Sequence, residues 1–130
     1  MSFVSSYQDL HVYKLSRELA KEICERSKQF PPEEKFSLTD QIRRSSRSIG
    51  AQIAESWAKR RYEKHFISKL SDADGEQMET EYWVGVSEDC FHITAEEAVI
   101  WKNKCSQINK MLNSMMLKLA SFCQPKKRKG

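Results

Sequence analysis

The stretch that decides the fold is Thr94-Ala-Glu-Glu97-Ala98-Val-Ile-Trp101-Lys-Asn-Lys-Cys105-Ser-Gln-Ile108-Asn-Lys-Met-Leu112-Asn-Ser-Met115-Met-Leu-Lys-Leu119-Ala-Ser-Phe122. Its apolar positions 98, 101, 105, 108, 112, 115, 119 and 122 alternate by three and four residues over more than three heptads. That period puts every one of them on one side of an α-helix and none on alternating faces of a strand. Thr94 and Glu97 have the spacing of a capping box, and Pro125 stops the pattern.

Three more such segments precede it. Val12, Leu15, Leu19, Ile23 and Arg26 form a stripe in a helix predicted over about Leu10 to Gln29, ended by Pro31-Pro32. Glu18 and Glu22 stand three and four residues before Lys21 and Arg26, the order that supports an exposed helical face. Phe30 is expected to fold back onto the core. Ser37-Leu-Thr-Asp40 resembles a capping box and predicts the start of a second helix with Ile42, Ser46, Ile49, Ile53 and Ser56/Trp57 inward. Gly50 inside it implies a close backbone contact or a slight bend, since glycine costs about 1 kcal/mol against alanine there. A third helix, from about Tyr62 to Glu88, carries Phe66, Leu70, Ala73, Gln77, Thr80 and Val84 at strict spacing. That spacing overrides the turn signal of Asp74-Gly75, although the seam turns polar at Gln77 and Thr80. Four long helices with short connections predict an all-α, up-and-down antiparallel four-helix bundle over residues 1–124, with 125–130 a basic flexible tail.

The composition agrees. One hundred and thirty residues with four glycines and three prolines leave few turns for a β-sandwich or a doubly wound sheet. A chain of this size buries about 70% of its unfolded surface. Apolar residues at 39% and a mean hydropathy of -0.69 are low for a globular protein, but aromatics at 10% and strong periodicity argue against disorder. No run approaches a membrane span, and the first seven residues lack the pattern of a secretory signal. Cys24, Cys90, Cys105 and Cys123 form no Cys-x-x-Cys pair and read as free thiols in a reducing compartment, so a cytoplasmic location is expected.

Charge falls in blocks. Residues 1–41 carry a net −1, 42–71 carry +6, 72–97 carry −9 and 98–130 carry +8, for +4 in all. Blocks of this kind bear on association: a polyanion partner, or self-assembly of opposite faces.

Several chemistries lack their ligands. A di-metal bundle needs two Glu-x-x-His motifs, and the only related pattern is Asp89-x-x-His92. Asp72-x-Asp74-Gly75 with Glu81 imitates half a calcium loop, but its first ligand position is Leu70, so a solvated acidic helix face is the better reading. There is no Gly-rich phosphate loop and no recognisable nucleophile-base motif. The expectation is therefore a non-enzymatic protein with no cofactor and no metal.

The stretch from Arg43 to Lys64 is the best functional signal. Continued as one helix, Arg43, Arg47 and Arg61 fall within about 40° of one another, beside Ala51, Ala54 and Ala58. Trp57, Tyr62, His65 and Phe66 interleave with Lys59, Arg60, Arg61 and Lys64. Guanidinium forks grip phosphates and rings stack on bases, which is the chemistry of RNA and single-strand binding. The other reading makes Trp57 and Phe66 core residues and pairs the arginines with the acidic third helix. The tail Lys126–Lys129 is either a nonspecific phosphate clamp or a solubilising end.

Tyr7-Gln-Asp-Leu10 before the first helix, then Phe30-Pro-Pro-Glu-Glu-Lys-Phe-Ser-Leu-Thr-Asp-Gln-Ile-Arg-Arg44, resembles the 23S rRNA intervening-sequence proteins. The resemblance runs on through Ser48-Ile-Gly-Ala-Gln-Ile-Ala-Glu-Ser-Trp-Ala-Lys-Arg60, Phe66 to Leu70, Gly75, Glu79-Thr80 and Ile108-Asn-Lys-Met-Leu-Asn113, about residues 7 to 122. Gly50 replaces a usual proline and Ser56 a usual glycine, which bears on the bend of the second helix, and the basic tail is not a family feature. The resemblance implies a cytoplasmic bacterial four-helix bundle assembled as a ring-like homopentamer. Relatives of the family include accessory proteins of diversity-generating retroelements, which bind nucleic acid and a reverse transcriptase. Partners implied are thus copies of the chain itself, RNA or DNA, and a reverse transcriptase or other protein. Arg43, Arg44, Arg47 and Arg60 would be the contacts, and Glu55 would pair with one of them. The alternative is a self-assembly or protein-interaction scaffold with no nucleic-acid contact.

Overall fold

A computed structural model describes residues 4–123; the expected basic tail and its Lys126–Lys129 cluster lie outside the described residues. A short 3-10 turn at Tyr7–Asp9 leads into α1 (His11–Ser27), followed by α2 (Asp40–Ala58), α3 (Glu63–Asp89), α4 (Ala95–Leu117) and a single turn, α5 (Leu119–Phe122). Among the described residues there is no strand. Each long helix packs on its neighbours in sequence, and α4 closes the ring on α1. Pairs such as Arg44–Glu76 between α2 and α3, Lys102–Glu88 between α3 and α4, and Arg26–Glu97 between α1 and α4 show neighbours running antiparallel. The fold is the expected four-helix bundle.

The heptad run behaves as read: Ala98, Trp101, Cys105, Ile108, Leu112 and Met115 are all buried. The Thr94 side chain accepts from Glu97 N–H while the Glu97 carboxylate accepts from Thr94 N–H, a complete capping box. The run is not one helix to its end, because Lys118 leaves helical backbone before α5. Leu119 and Phe122 still pack on the core, Phe122 stacking 6.2 Å from Phe66. α3 is unbroken through Gly75.

Two local readings are corrected. Ser37 does not cap α2: helical winding begins earlier, at Pro32, where the fixed φ of proline suits a first turn. Lys35–Thr39 then winds wide, with Asp40 N–H reaching Lys35 O, and runs straight into α2. On α1 the buried stripe is Val12, Ser16, Leu19, Ile23 and Ser27, with Leu15 and Arg26 only half-buried.

The polar seam of α3 is paired in part inside this chain, with Gln77 Oε1 buried and without a hydrogen-bond partner among the described residues. Thr80 and Gln77 are buried; Thr80 bonds Ser45 of α2, and Gln77 Nε2 donates to Asp74 at 2.9 Å. Phe30 does fold onto the core and lies 5.5 Å from the His92 ring.

Candidate nucleic-acid interface

α2 turns Ile42, Ser45, Ser46, Ile49, Gly50, Ile53 and Ser56 inward, and this leaves its three arginines at different edges of the buried stripe. Arg43 is half-buried: its Nε donates to Ser27 Oγ at 2.7 Å and an η-nitrogen reaches Cys24 O at 3.5 Å. It thereby reaches one carbonyl and one hydroxyl in the last turn of α1, at the negative end of that helix's dipole. Arg44 faces α3, where it binds Glu76 at 3.3 Å and also Glu79. The Glu79 carboxylate beside it holds its guanidinium above the usual value. Arg47 is exposed and makes only a 3.4 Å contact to Cys24 Sγ. The acidic third helix thus takes Arg44, the end of α1 takes Arg43, and only Arg47 is left over.

Arg47 opens into a groove between α1 and α2. Gly50, Ala51 and Ala54 line its α2 side. A side chain at Gly50 would meet Ser16 Oγ at 3.2 Å and the Tyr13 ring at 3.6 Å, which is the close contact that this glycine implies. From α1 the groove receives Lys14, Arg17 and Lys21. Arg17 is steadied by Tyr13, donating to its hydroxyl at 2.7 Å. Among the described residues none of Lys14, Arg17, Lys21 and Arg47 has an ion-pair partner. The groove's two carboxylates, Glu18 and Glu25, lie by Lys104 at 3.8 Å and Lys28 at 3.1 Å. At about 1190 Å³, and open to solvent, the groove exceeds the usual small-molecule pocket of about 300–1,000 Å³ and suits an extended chain.

A second basic patch stands at the corner joining α2 to α3. α2 stops at Ala58, so the helical projection that brought Arg61 alongside Arg43 and Arg47 does not hold. Arg60 instead folds back, its guanidinium 3.6 Å from the centre of the Trp57 ring and its Nε donating to Trp57 O at 2.9 Å. Lys59, Arg61 and Lys64 are exposed, as are Tyr62 and His65, whose rings lie 5.5 Å apart. The aromatic set divides: Phe66 is core and Trp57 packs against it, while Tyr62, 56% exposed, and His65 face solvent. Along α2 the corner begins about 18 Å from Arg47, about five nucleotides of a stacked strand.

Lys14, Arg17 and Lys21 escaped the sequence reading, although their spacing of three and four is itself a helical stripe. Glu55 pairs with Lys69 of α3 at 2.9 Å rather than with an arginine. Away from both patches, Glu34, Cys90 and His92 bring three metal-ligating atoms within 4.8 Å of one another.

Among the described residues no helix is long and apolar enough to cross a membrane. No curated protein matches the chain. Among solved structures it is similar to a protein of unknown function from the S23 ribosomal protein family of Bacteroides thetaiotaomicron VPI-5482, solved by crystallography. The two are 35% identical, with a TM-score of 0.73, over 82% of this chain and 96% of that one. Residues 8–114, from the turn before α1 to the last turns of α4, match the family of the 23S rRNA-intervening sequence protein. With the bundle, its motif order and that match in agreement, the chain belongs to the 23S rRNA-intervening sequence protein family.

Proposed function

We propose that this protein is a non-enzymatic, cytoplasmic, homo-oligomeric bundle that binds RNA or DNA along the α1–α2 groove and the α2–α3 corner. The observation that carries the reading is the meeting of Lys14, Arg17, Lys21 and Arg47 across a groove walled by small residues, none of the four spent on a carboxylate among the described residues. Cations left free of partners favour phosphates, and small residues let a backbone approach. Tyr62 and His65, exposed beside Lys59, Arg61 and Lys64, supply stacking surfaces of the kind that single strands use. Repetition of both patches around an oligomer would multiply weak contacts by avidity.

A second reading, self-assembly without nucleic acid, is favoured by exposed apolar side chains on α3 and α4: Met78, Tyr82, Val99 and Ile100. One pair of measurements separates the two. Light scattering at tens of micromolar protein gives the oligomer mass, and fluorescence anisotropy with labelled RNA and DNA oligonucleotides gives affinity across salt. Binding whose log–log salt slope falls when Arg17 and Arg47 are both changed to Ala, at unchanged mass, supports the proposal. Unchanged binding with a collapsed oligomer would favour the scaffold.

A further inference from the structure

Glu34 follows Pro31-Pro32 in the connector between α1 and α2, whereas Cys90 and His92 lie in the connector between α3 and α4. The up-and-down topology brings both connectors to the same end of the bundle, opposite the Tyr62–Lys64 corner. There His92 Nε2 lies 2.8 Å from Glu34 Oε2, and Cys90 Sγ joins them with all three ligand atoms within 4.8 Å of one another. The other carboxylate oxygen of Glu34 accepts from Ser37 Oγ at 3.2 Å, which fixes the plane of the carboxyl group as outer partners of metal ligands do. His92 is anchored too, by its backbone N–H to Ser87 O at 2.9 Å and by its ring against Phe30.

The backbone between the two connector ligands is unusual. Phe91 has a φ of 59°, the left-handed region, and is 94% exposed. Phe91 directly follows the cap of α3, where its N–H bonds Glu88 O at 3.0 Å and the His92 N–H bonds Ser87 O at 2.9 Å, so its left-handed backbone closes a Schellman turn at the helix end. It brings Cys90 and His92, its two neighbours, to the same carboxylate.

We propose that Glu34, Cys90 and His92 form a binding site for a divalent transition metal of the zinc class, which clamps the two connectors together. A thiolate, an imidazole and a carboxylate are the three side-chain donors zinc takes, with water left for the fourth position; calcium and magnesium would reject the sulfur. Tetrahedral zinc needs donor atoms roughly 3.3–3.6 Å apart. The Glu34–His92 pair therefore opens by about half an ångström, and no donor pair has to close by more than about 1.5 Å. The cation replaces the proton that lies between His92 Nε2 and Glu34 Oε2, and it binds the Cys90 sulfur as thiolate.

The test uses the full chain, reduced and stripped of metal, with Co2+ as a spectroscopic probe. One Co2+ per chain should produce thiolate-to-metal charge transfer and the intense visible bands of a tetrahedral site, and Zn2+ should displace them. Cys90→Ala, at an exposed position that leaves the core untouched, should abolish the charge-transfer band. Glu34→Gln should weaken binding by about 10-fold or more. Zn2+ should raise the unfolding temperature of the parent but not of Cys90→Ala. His92→Ala risks the packing on Phe30, so Cys90→Ala is the deciding variant. A parent chain with no tetrahedral spectrum at about millimolar Co2+ overturns the proposal, and so does a charge-transfer band that survives Cys90→Ala.

Discussion

Thr80 Oγ1 on α3 donates to Ser45 Oγ on α2 at 2.9 Å, and both residues are fully buried. The bond joins the two helices that pack most extensively on one another. Thr80 is also 2.9 Å from Glu76 O in its own helix, and Ser45 donates to Ile42 O at 3.4 Å, so the pair closes a small polar network in an apolar interior. Removing one member takes a partner from the other in a low dielectric and leaves it only the carbonyl of its own helix; removing both leaves neither short of a partner. Thr80→Val should cost about 1–2 kcal/mol in urea unfolding and Ser45→Ala about 1 kcal/mol. The double variant should cost less than their sum by at least about 0.5 kcal/mol. Strict additivity would show the bond to be incidental.

The capping box of α4 is tied across the bundle, since Glu97 accepts from Arg26 Nε at 2.7 Å as well as from Thr94 N–H. The Arg26 guanidinium first, and the Thr94 bonds second, hold the Glu97 carboxyl below its ordinary 4.5. A carboxyl depressed by folding contributes stability that is present above its unfolded value and is lost as pH falls from about 4.5 through the folded value. Both side chains are partly exposed, so the contribution is modest. Glu97→Gln should lower the unfolding midpoint at pH 7 by an amount that shrinks steadily below pH 4.5. A constant deficit from pH 7 to pH 3 would mean that charge plays no part.

Burial pushes the Cys105 thiol up to about 12, with Glu81 adding a little. The folded chain keeps that proton while the unfolded thiol loses it near 9.0, so stability falls as pH rises from about 9 toward 12. At the top of that window the loss approaches about 4 kcal/mol, at one kcal-scale step of 1.36 per unit. Cys105→Ala should flatten the alkaline limb of the stability curve relative to the parent. In the folded protein at pH 8 an aromatic disulfide reagent should modify exposed Cys90 first and Cys105 only on unfolding.

Helix identity was legible wherever an apolar period ran without competition. The run from Ala98 to Met115 needed nothing else, and the spacing on either side of Gly75 was enough to overrule a turn dipeptide. Small polar residues hid part of the core. Ser16, Ser27 and Ser45 are about as buried as the isoleucines beside them, because serine can return its hydroxyl to a carbonyl one turn back and vanish into a helix interface. A break without a breaker was invisible too: α4 ends at Leu117 with no glycine or proline to mark it, whereas the start of α3 was read to within one residue. The candidate site was legible as a basic segment but not as a geometry. Which arginine is free depends on groups distant in sequence, the Glu76 and Glu79 carboxylates, the Cys24 carbonyl and the Ser27 hydroxyl, while the α1 half of the groove belonged to a helix of balanced charge. The Cys90-x-His92 spacing was in view, yet Glu34 is supplied by folding alone.

Arg44 and Arg47 stand three residues apart on α2 and are predicted to fail in different assays. Arg44 holds Glu76 and Glu79 of α3, so Arg44→Ala leaves two neighbouring carboxylates without their cation. Its side chain is 49% exposed, and water screens the loss to about 1 kcal/mol. Arg47 has no carboxylate partner among the described residues, and Arg47→Ala should change stability by no more than about 0.5 kcal/mol. In oligonucleotide binding the order reverses. Each phosphate contact contributes about 0.7 to the log–log salt slope for single strands and about 0.9 for duplex. Arg47→Ala should remove about one such increment per engaged chain, and Arg44→Ala should leave the slope unaltered even where its lowered stability reduces the active fraction. Adding Lys14→Ala and Lys21→Ala to Arg47→Ala should lower the slope further, since all three cations line one groove. Should Arg44→Ala flatten the slope while Arg47→Ala does not, the contact surface lies on the α2–α3 side, and the groove between α1 and α2 is not where nucleic acid binds.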